Sequence, residues 1–285
     1  MIKLGILPHP GKPTAIQLAK EVIESLRDKP VKIWLDQETV QRIGYAQPEL
    51  ADIDLADLDV LLVLGGDGAL LSAARLVSDY GVPILGVNVG HLGFLTELET
   101  PGVNGALEQL LAKSYTLEER MFIDAQVIRD GKEVARFRSL NDMVITRGTF
   151  ARIIRLSTFV DDQHVVDYFA DGLIVATPTG STAYSLSAGG PIVEPLLACL
   201  IITPICPHTL AARSVVVRPE AIVLIEVEAN HKDVMLTIDG QQGFSLQCFD
   251  KVRIVRADVT AKFVKLHGYD FFAVLQNRLK TPQAR

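Results

Sequence analysis

Five consecutive apolar residues, Val60–Leu64, constrain the fold more than any other feature of this sequence. A run of Val and Leu without polar alternation is typical of a strand that is covered on both faces, as in a parallel sheet. The other predicted strands up to Lys113 are Ile2–Leu7, Val31–Leu35 and Val82–Val87, and the predicted helices are Pro13–Lys29, Ala69–Val77 and Asn104–Lys113. This alternation predicts a doubly wound, Rossmann-like α/β domain.

The sequence changes in character from about Thr116, where short β-branched runs replace the helical periodicity. The turn-forming pairs Asp130-Gly131, Asp161-Asp162 and Asp239-Gly240 lie beside or between such runs. The predicted strands are Ala125–Arg129, Val134–Arg138, Met143–Arg147, Ile153–Val160, Ile222–Val227 and Val252–Val255. We therefore predict a C-terminal antiparallel β-rich domain, arranged as a β-sandwich, and a final helix within Tyr269–Lys280.

Composition excludes several classes of protein. The net charge of −6 disfavours a general nucleic-acid binder, which needs an excess of Lys and Arg. The cysteines Cys199, Cys206 and Cys248 are too scattered for a disulfide framework or a zinc site. We find no signal-peptide pattern and no apolar run near the ~18 residues that span a membrane. We therefore expect a cytoplasmic protein without a membrane partner.

The segment Gly65-Gly66-Asp67-Gly68 directly follows the apolar strand and precedes a predicted helix. In an α/β sheet, ligands bind beyond the carboxyl ends of the strands and near helix N-termini. We expect the glycines to adopt positive φ and to let backbone N–H groups approach phosphate oxygens. A carboxylate here suits phosphate chemistry if it accepts a proton from an attacking hydroxyl or holds a magnesium ion. A plain turn with Asp67 as the helix N-cap is the alternative.

Four further segments have compositions that suit nucleotide binding. They are Gly86–Leu95, which includes Phe94; the pair Asn141-Asp142; Asp171–Pro191; and Leu236–Gln241. An amide beside a carboxylate can both donate to and accept from base edges and ribose hydroxyls. The Ser and Thr residues between Thr177 and Ser187 can supply donors at a helix N-terminus, and Tyr184 offers a flat face to a base or ribose. The alternatives are a glycine-rich loop, an Asx turn, a polar surface loop and a hairpin turn, in that order.

Together these segments resemble the NAD kinase family. Gly65-Gly66-Asp67-Gly68 resembles the signature of a superfamily that holds NAD kinases, diacylglycerol and sphingosine kinases and 6-phosphofructokinases. Asp171–Pro191 is similar to the NAD kinase signature nearly residue for residue, and it selects that member. Two positions depart from the usual pattern, since Asp142 stands where most members have Glu and Ala69 stands where many superfamily members have Thr.

The resemblance implies that the terminal phosphate of ATP moves to the 2′-hydroxyl of the adenosine ribose of NAD, which makes NADP. Asp67 would be the catalytic residue that polarises or deprotonates this hydroxyl, and Mg²⁺ would neutralise the ATP phosphates. Arg152 would face the pyrophosphate or the new 2′-phosphate. The residues expected to bind the nucleotides are Gly65, Gly66, Gly68, Phe94, Asn141, Asp142, Arg152, Asp171, Thr182, Ala183, Tyr184, Ser187 and Gln241. The resemblance assigns no metal ligands.

The resemblance also implies how the domains divide the work. Residues 1–120 would form the ATP domain, joined by a C-terminal helix over 268–285 that returns to it, and residues 121–267 would form the NAD-binding domain. The chain would assemble as a homodimer or homotetramer. The residues alone leave two alternative functions. One is a related kinase that acts on a lipid or sugar hydroxyl, and the other is a non-catalytic NAD(P)-binding sensor. We give the isolated histidines His91 and His208 no metal role.

Overall fold

The computed structural model describes residues 1–44, 53–90, 93–148, 152–209, 212–231, 233–266 and 271–279. Its internal contacts divide the chain into two compact units. The first unit comprises Met1–Glu119 together with Ala261–Arg285, and the second comprises Arg120–Thr260. None of the described helices combines the length and the hydropathy that a membrane crossing requires.

The first unit begins as the alternation of strands and helices that the sequence predicts. Its elements are β1 (Ile2–Pro8), α1 (Pro13–Ser25), β2 (Val31–Trp34), α2 (Gln37–Ile43), β3 (Val60–Gly65), α3 (Asp67–Val77), β4 (Ile84–Asn88), β5 (Leu98–Glu99) and α4 (Val103–Leu111). Strands β2, β1, β3 and β4 lie side by side in that order, all parallel. Every residue of β3 is buried, as expected for a strand covered on both faces. The α/β prediction is therefore confirmed, whereas α2 and β5 were not predicted.

The second unit is built from antiparallel strands. They are β6 (Thr116–Arg129), β7 (Lys132–Ser139), β8 (Asp142–Arg147), β9 (Ile154–Val160), β10 (Gln163–Ala170), β11 (Gly172–Ala176), β12 (Leu200–Ile205), β13 (Val215–Val217), β14 (Val223–Glu228), β15 (Val234–Ile238), β16 (Gln242–Leu246) and β17 (Lys251–Lys265), with one short helix α5 (Tyr184–Ser187). One sheet contains β10-β9-β14-β17 with β6 and β7 beside them, and the other has the order β13-β12-β11-β8-β15-β16. Both sheets contribute to one apolar core, with Leu156 and Val223 from the first and Met143 and Leu236 from the second. The predicted β-rich sandwich is confirmed.

The three turn-forming pairs lie at hairpin turns. Asp130-Gly131 joins β6 to β7, Asp161-Asp162 joins β9 to β10, and Asp239-Gly240 joins β15 to β16. Both residues of each pair have positive φ, between 49° and 74°. Two successive positive φ values are the signature of the tight turn whose twist matches that of the flanking strands. The turn chemistry thus fixes where these strands reverse.

The C-terminal segment belongs to the first unit. The last part of β17 lies parallel to β4, with Phe263 opposite Ile84. At the end of the strand, Lys265 Nζ lies 3.0 Å from Glu97 Oε2, and the N–H of the next residue, Leu266, donates to Glu97 Oε1 at 2.8 Å. A final helix, α6 (Phe271–Leu279), follows. Because of the pairing with β4, the structure places Ala261–Leu266 in the first unit, whereas the predicted second domain extends to residue 267.

Candidate functional site

The glycine loop Gly65–Gly68 lies at the carboxyl end of β3 and opens α3. Gly65 lies opposite Asn88, the last residue of β4, and Gly66 is the N-cap of α3 with φ −115°. Neither Gly65, Gly66 nor Gly68 has positive φ, so the conformational reason that we gave for these glycines was wrong. The structure supplies a steric reason instead. A Cβ on Gly65 would lie 2.5 Å from the Ala69 Cβ, whereas a Cβ on Gly66 would meet nothing within 4 Å. Gly65 allows close packing and Gly66 leaves open space.

The Asp67 carboxylate binds a second segment of the first unit. Its Oδ2 accepts the Phe94 N–H at 2.8 Å, and its Oδ1 accepts the Leu95 N–H at 3.1 Å. Gly93 allows this close approach, because a Cβ there would overlap the Asp67 carboxylate. Asp67 is the first residue of α3 and Gly66 is the cap, so the interpretation of Asp67 as an N-cap was wrong. The expected residues Gly65, Gly66, Asp67, Gly68 and Phe94 therefore lie together, while His91 and Leu92 lie outside the described residues.

A cavity of about 390 Å³ opens in the second unit. Its lining is Asn141, Asp142, Val144, Thr146, Ala183, Tyr184, Thr237, Asp239 and Gly240. Four of these, Asn141, Asp142, Ala183 and Tyr184, were expected at a nucleotide site. Tyr184 is 45 % exposed, so its ring is available to a ligand. Among the described residues, no Lys or Arg lines this cavity, and its charged groups are both carboxyls.

Asp239 holds the turn that carries Asn141 and Asp142. Its Oδ1 accepts hydrogen bonds from the Ser139 hydroxyl, from the Asn141 N–H at 2.8 Å and from the Asp142 N–H at 3.3 Å. Its Oδ2 accepts the Leu140 N–H at 3.3 Å. The sequence indicated only a hairpin turn at Asp239, because its partners are about a hundred residues away along the chain. The Asp-Gly pair was the one available signal.

Thr177 holds the same turn from the other side. The Thr177 hydroxyl donates to the Leu140 carbonyl at 2.5 Å, and the Thr177 N–H donates to the Asn141 carbonyl at 2.8 Å. The Gly180 N–H donates in turn to the Thr177 hydroxyl at 3.1 Å. Gly180 packs so closely that a Cβ would overlap the Asn141 carbonyl oxygen. The turn is therefore fixed through both its N–H and its C=O groups.

The Asp142 carboxyl is the most electrostatically perturbed group of the cavity. Asp142 is only 3 % exposed. Burial and, second, the charge of the neighbouring Asp239 carboxylate raise the pKa of Asp142 to about 7. Near neutral pH its two protonation states are therefore both accessible, so the side chain can donate or accept a hydrogen bond to a ligand.

Five expected residues do not line the cavity. Thr182 is half-buried and donates to the Thr179 carbonyl, Ser187 and Gln241 are exposed, and Arg152 is exposed before β9. The Asp171 carboxylate accepts from Arg147 Nε at 2.6 Å. The roles expected for these five residues stay predictions.

The hydroxyl-rich segment is also more structural than its composition indicated. It forms a short 3-10 turn, Thr179–Thr182, and the four-residue helix α5. The Ser181 hydroxyl donates to the Val193 carbonyl and accepts its N–H, and the Ser185 hydroxyl bonds to that of Thr203. Both side chains are fully buried. These hydroxyls stabilise the loop, and they do not form the row of ligand donors that we expected.

Comparisons with known proteins cover nearly the whole chain. The family model described as the ATP-NAD kinase N-terminal domain matches residues 4–115, and the model described as the ATP-NAD kinase C-terminal domain matches residues 140–266. The NAD kinase of Caldanaerobacter subterraneus subsp. tengcongensis is 44 % identical over 98 % of this chain and 99 % of that protein. The NAD kinase of Symbiobacterium thermophilum is 46 % identical over 98 % of this chain and 99 % of that protein.

Two solved structures resemble this one over at least 98 % of its length. The yeast NADH kinase complexed with NADH has a TM-score of 0.89 at 24 % identity, and the match covers 100 % of this chain and 89 % of that chain. This likeness concerns the fold. An NAD kinase from Archaeoglobus fulgidus in complex with ATP has a TM-score of 0.75 at 25 % identity, and the match covers 98 % of both chains.

Proposed function

Since the chain belongs to the NAD kinase family, we propose that its second unit binds NAD in the cavity beside Asn141 and Tyr184 and that its first unit presents ATP at Gly65–Gly68. The reaction of the family is transfer of the terminal phosphate of ATP to the 2′-hydroxyl of the adenosine ribose of NAD. The observation that carries the assignment is the convergence of an amide, a buried carboxyl and an exposed ring on one cavity.

The chemistry of the cavity suits a nucleoside better than a phosphate. Asn141 and Asp142 can donate to and accept from base edges and ribose hydroxyls. The Tyr184 ring can stack on a base or ribose face. Because the charged groups that line the cavity are the carboxyls of Asp142 and Asp239, a phosphate group placed there would be repelled. We therefore assign the cavity to a nucleoside portion of NAD, with its phosphates outside.

The loop of the first unit suits the phosphate donor. It lies where a parallel sheet exposes the carboxyl ends of its strands, and the N-terminus of α3 favours negative charge. Gly66 leaves open space in which a phosphate could approach the backbone. Asp67 would accept the proton of the attacking hydroxyl, which is the role of a positioned general base. Two backbone N–H groups fix the orientation of its carboxylate.

We also propose Mg²⁺ as the divalent ion of the reaction. When bound, it would neutralise charge on the ATP phosphates. Mg²⁺ in such sites is usually held by one or two carboxylates and the substrate phosphates rather than by a protein cage. Asp67 fits this arrangement, because each of its oxygens accepts a backbone N–H and a carboxylate oxygen has a second lone pair. Within the described residues, no three His, Cys, Asp or Glu side chains group as metal ligands.

Cytoplasmic location and assembly as a homodimer or homotetramer stay predictions. Light scattering on the purified protein would measure the assembly. The activity itself is tested by incubating the pure protein with NAD, ATP and Mg²⁺ and detecting NADP with an NADP-specific dehydrogenase. We expect NADP to form only when all three are present. Binding of NAD without any NADP formation would instead indicate a non-catalytic sensor.

Assignment of NAD to the second unit is tested by Tyr184→Ala. Loss of the aromatic contact should raise the KM for NAD about 5–30-fold and leave the KM for ATP nearly unchanged. Tyr80→Ala is the matched control, because Tyr80 is an exposed tyrosine of the first unit that lies outside both sites. A rise in the KM for ATP alone would mean that the two nucleotides have been assigned to the wrong units.

A further inference from the structure

The Ser139–Asp142 turn is largely buried, and side chains and backbone of distant residues satisfy most of its backbone hydrogen-bonding groups. Asp239 accepts three consecutive N–H groups, those of residues 140, 141 and 142. The Thr177 hydroxyl donates to the carbonyl of residue 140, and the Thr177 N–H donates to the carbonyl of residue 141. The Asp142 carbonyl accepts from the Asp239 N–H at 3.1 Å. The turn cannot rotate without breaking several of these bonds at once.

We propose that Asp239 and Thr177 are positioning residues for NAD, which clamp the Ser139–Asp142 turn so that the Asn141 and Asp142 side chains face the cavity in one fixed orientation. This inference rests on the proposed function, because it takes Asn141 and Asp142 as NAD contacts. Asp239 acts through the turn, since its two carboxylate oxygens together accept four hydrogen bonds from residues 139–142. Thr177 is fully buried and does not line the cavity.

Pre-organisation is the physical gain from such a clamp. A ligand that must order a mobile loop loses affinity by the entropy of ordering it, and a loop held in advance avoids that loss. Donors and acceptors held in one geometry also discriminate better between ligands, because a mismatched partner leaves them unpaired. Loss of the clamp should therefore lower the affinity for NAD and leave the KM for ATP unchanged.

The negative charge of Asp239 gives the clamp a second, measurable effect. Among the described residues that line the cavity, the titratable groups are Asp142, Asp239 and Tyr184. Burial is the larger cause of the raised pKa of Asp142 and the charge of Asp239 is the second, so replacing Asp239 with a neutral amide should lower that pKa. The pH dependence of the KM for NAD should then move to lower pH. Thr177 carries no charge, so its replacement should weaken NAD binding without moving the pH profile.

The test uses two clamp variants and one control. Asp239→Asn and Thr177→Val should each raise the KM for NAD, and the Kd for NAD measured by calorimetry, about tenfold, with the KM for ATP within about twofold. Asp250→Asn is the matched control. Asp250 is as deeply buried in the same unit, and its carboxylate also accepts a backbone N–H, that of Gln247 at 2.8 Å. The Asp250→Asn substitution should lower the stability of the protein but leave the KM for NAD unchanged.

Asn141→Ala separates the inference from the function on which it rests. If Asn141→Ala leaves the KM for NAD unchanged, the cavity is not the NAD site. If Asn141→Ala raises the KM for NAD while Thr177→Val and Asp239→Asn do not, the cavity is the NAD site but Asp239 and Thr177 do not position its residues. Should Asp239→Asn fail to fold, the uncharged and nearly isosteric Thr177→Val decides the question. A pH profile that stays in place in a folded Asp239→Asn variant would also count against the clamp.

Discussion

A single carboxylate, that of Asp67, joins the loop at Gly65–Gly68 to the segment at Phe94 and Leu95. The sequence indicates the chemical role of Asp67, because a carboxylate among phosphate-binding glycines is unusual. It does not indicate the structural role, because the two N–H partners lie 27 and 28 residues further along the chain. A substitution at Asp67 must therefore be interpreted for both roles.

We predict that Asp67→Asn lowers kcat by about 10²–10⁴-fold, the usual contribution of a positioned general base. It should also lower the free energy of unfolding by about 1–2 kcal/mol. The NH₂ of the new amide would face one of the two N–H groups that now donate to the carboxylate, and two donors cannot bond to each other. Asp36→Ala is the control. It removes the cap of α2, where Asp36 accepts the Thr39 N–H, and should cost about 1 kcal/mol with kcat unchanged. A kcat above about a tenth of wild type would exclude Asp67 as the base.

Asp142 makes the stability of the second unit depend on pH. Its pKa of about 7 in the folded state lies above the ordinary value of 3.8. Between these values the unfolded chain releases the proton and the folded chain retains it, so stability falls as pH rises from about 4 to 7. Asp142→Asn removes this penalty. We predict that the variant becomes more stable relative to wild type over that range, by about 2–4 kcal/mol at pH 7 and above.

Urea denaturation of both proteins at several pH values measures this difference. The KM for NAD of Asp142→Asn should rise even as its stability increases, which is the usual compromise at a binding site. A constant difference in stability from pH 4 to 8 would mean that the Asp142 carboxyl does not titrate as its burial implies.

At the scale of elements, the sequence predicts best where local chemistry decides the structure. The pairs Asp130-Gly131, Asp161-Asp162 and Asp239-Gly240 mark hairpin turns because few other residues tolerate two successive positive φ values. The sequence fails where distant partners decide. Ser181 and Ser185 looked like ligand donors, yet their hydroxyls bind Val193 and Thr203. Composition cannot distinguish a hydroxyl that faces a ligand from one that is used by the fold.

Gly65 and Gly66 allow a paired prediction for the glycine loop. Gly66→Val should fold and keep NAD affinity within about tenfold, because the site is open and its φ of −115° suits a β-branched residue. It should nevertheless lose ATP-dependent turnover, since the new side chain occupies the space proposed for phosphate. Gly65→Val should instead destabilise the fold, because its Cβ would collide with Ala69. Calorimetry with NAD and thermal denaturation separate the two effects. Equal destabilisation by both variants would contradict the assignment of open space to Gly66.

At the scale of the whole molecule, the first unit is completed by the end of the chain. Lys265 and Glu97 form a buried pair there, with side chains 12 % and 4 % exposed. Burial raises the pKa of Glu97, and this effect is larger than the opposite effect of the nearby Lys265 charge. The sequence could not indicate this pair, because its members lie 168 positions apart. It did indicate a C-terminal helix, since apolar residues at helical spacing are a local signal.

We predict that Lys265→Met lowers the free energy of unfolding by about 3–5 kcal/mol at pH 8, because it leaves the Glu97 carboxylate buried without its main counter-charge. The loss should shrink as pH falls, since protonation of Glu97 removes the unpaired charge. Lys251→Met is the control, because its pair with Glu226 is more exposed and should contribute less than about 1 kcal/mol. Urea denaturation at pH 5 and pH 8 measures both variants. A loss that is the same at the two pH values would show that Glu97 is not the group responsible.

The return of the chain to its first unit also sets an order of events during synthesis. Domains generally fold as units as the chain leaves the ribosome, usually beginning with the N-terminal one. Here the N-terminal unit lacks Phe263 beside β4 and Lys265 beside Glu97 until the last segment has emerged, whereas the second unit has all of its residues once Thr260 is made. The α/β unit therefore begins before the sandwich along the chain but can be completed only after it. A chain truncated directly after Thr260 would therefore contain every residue of the sandwich but only an unfinished α/β unit.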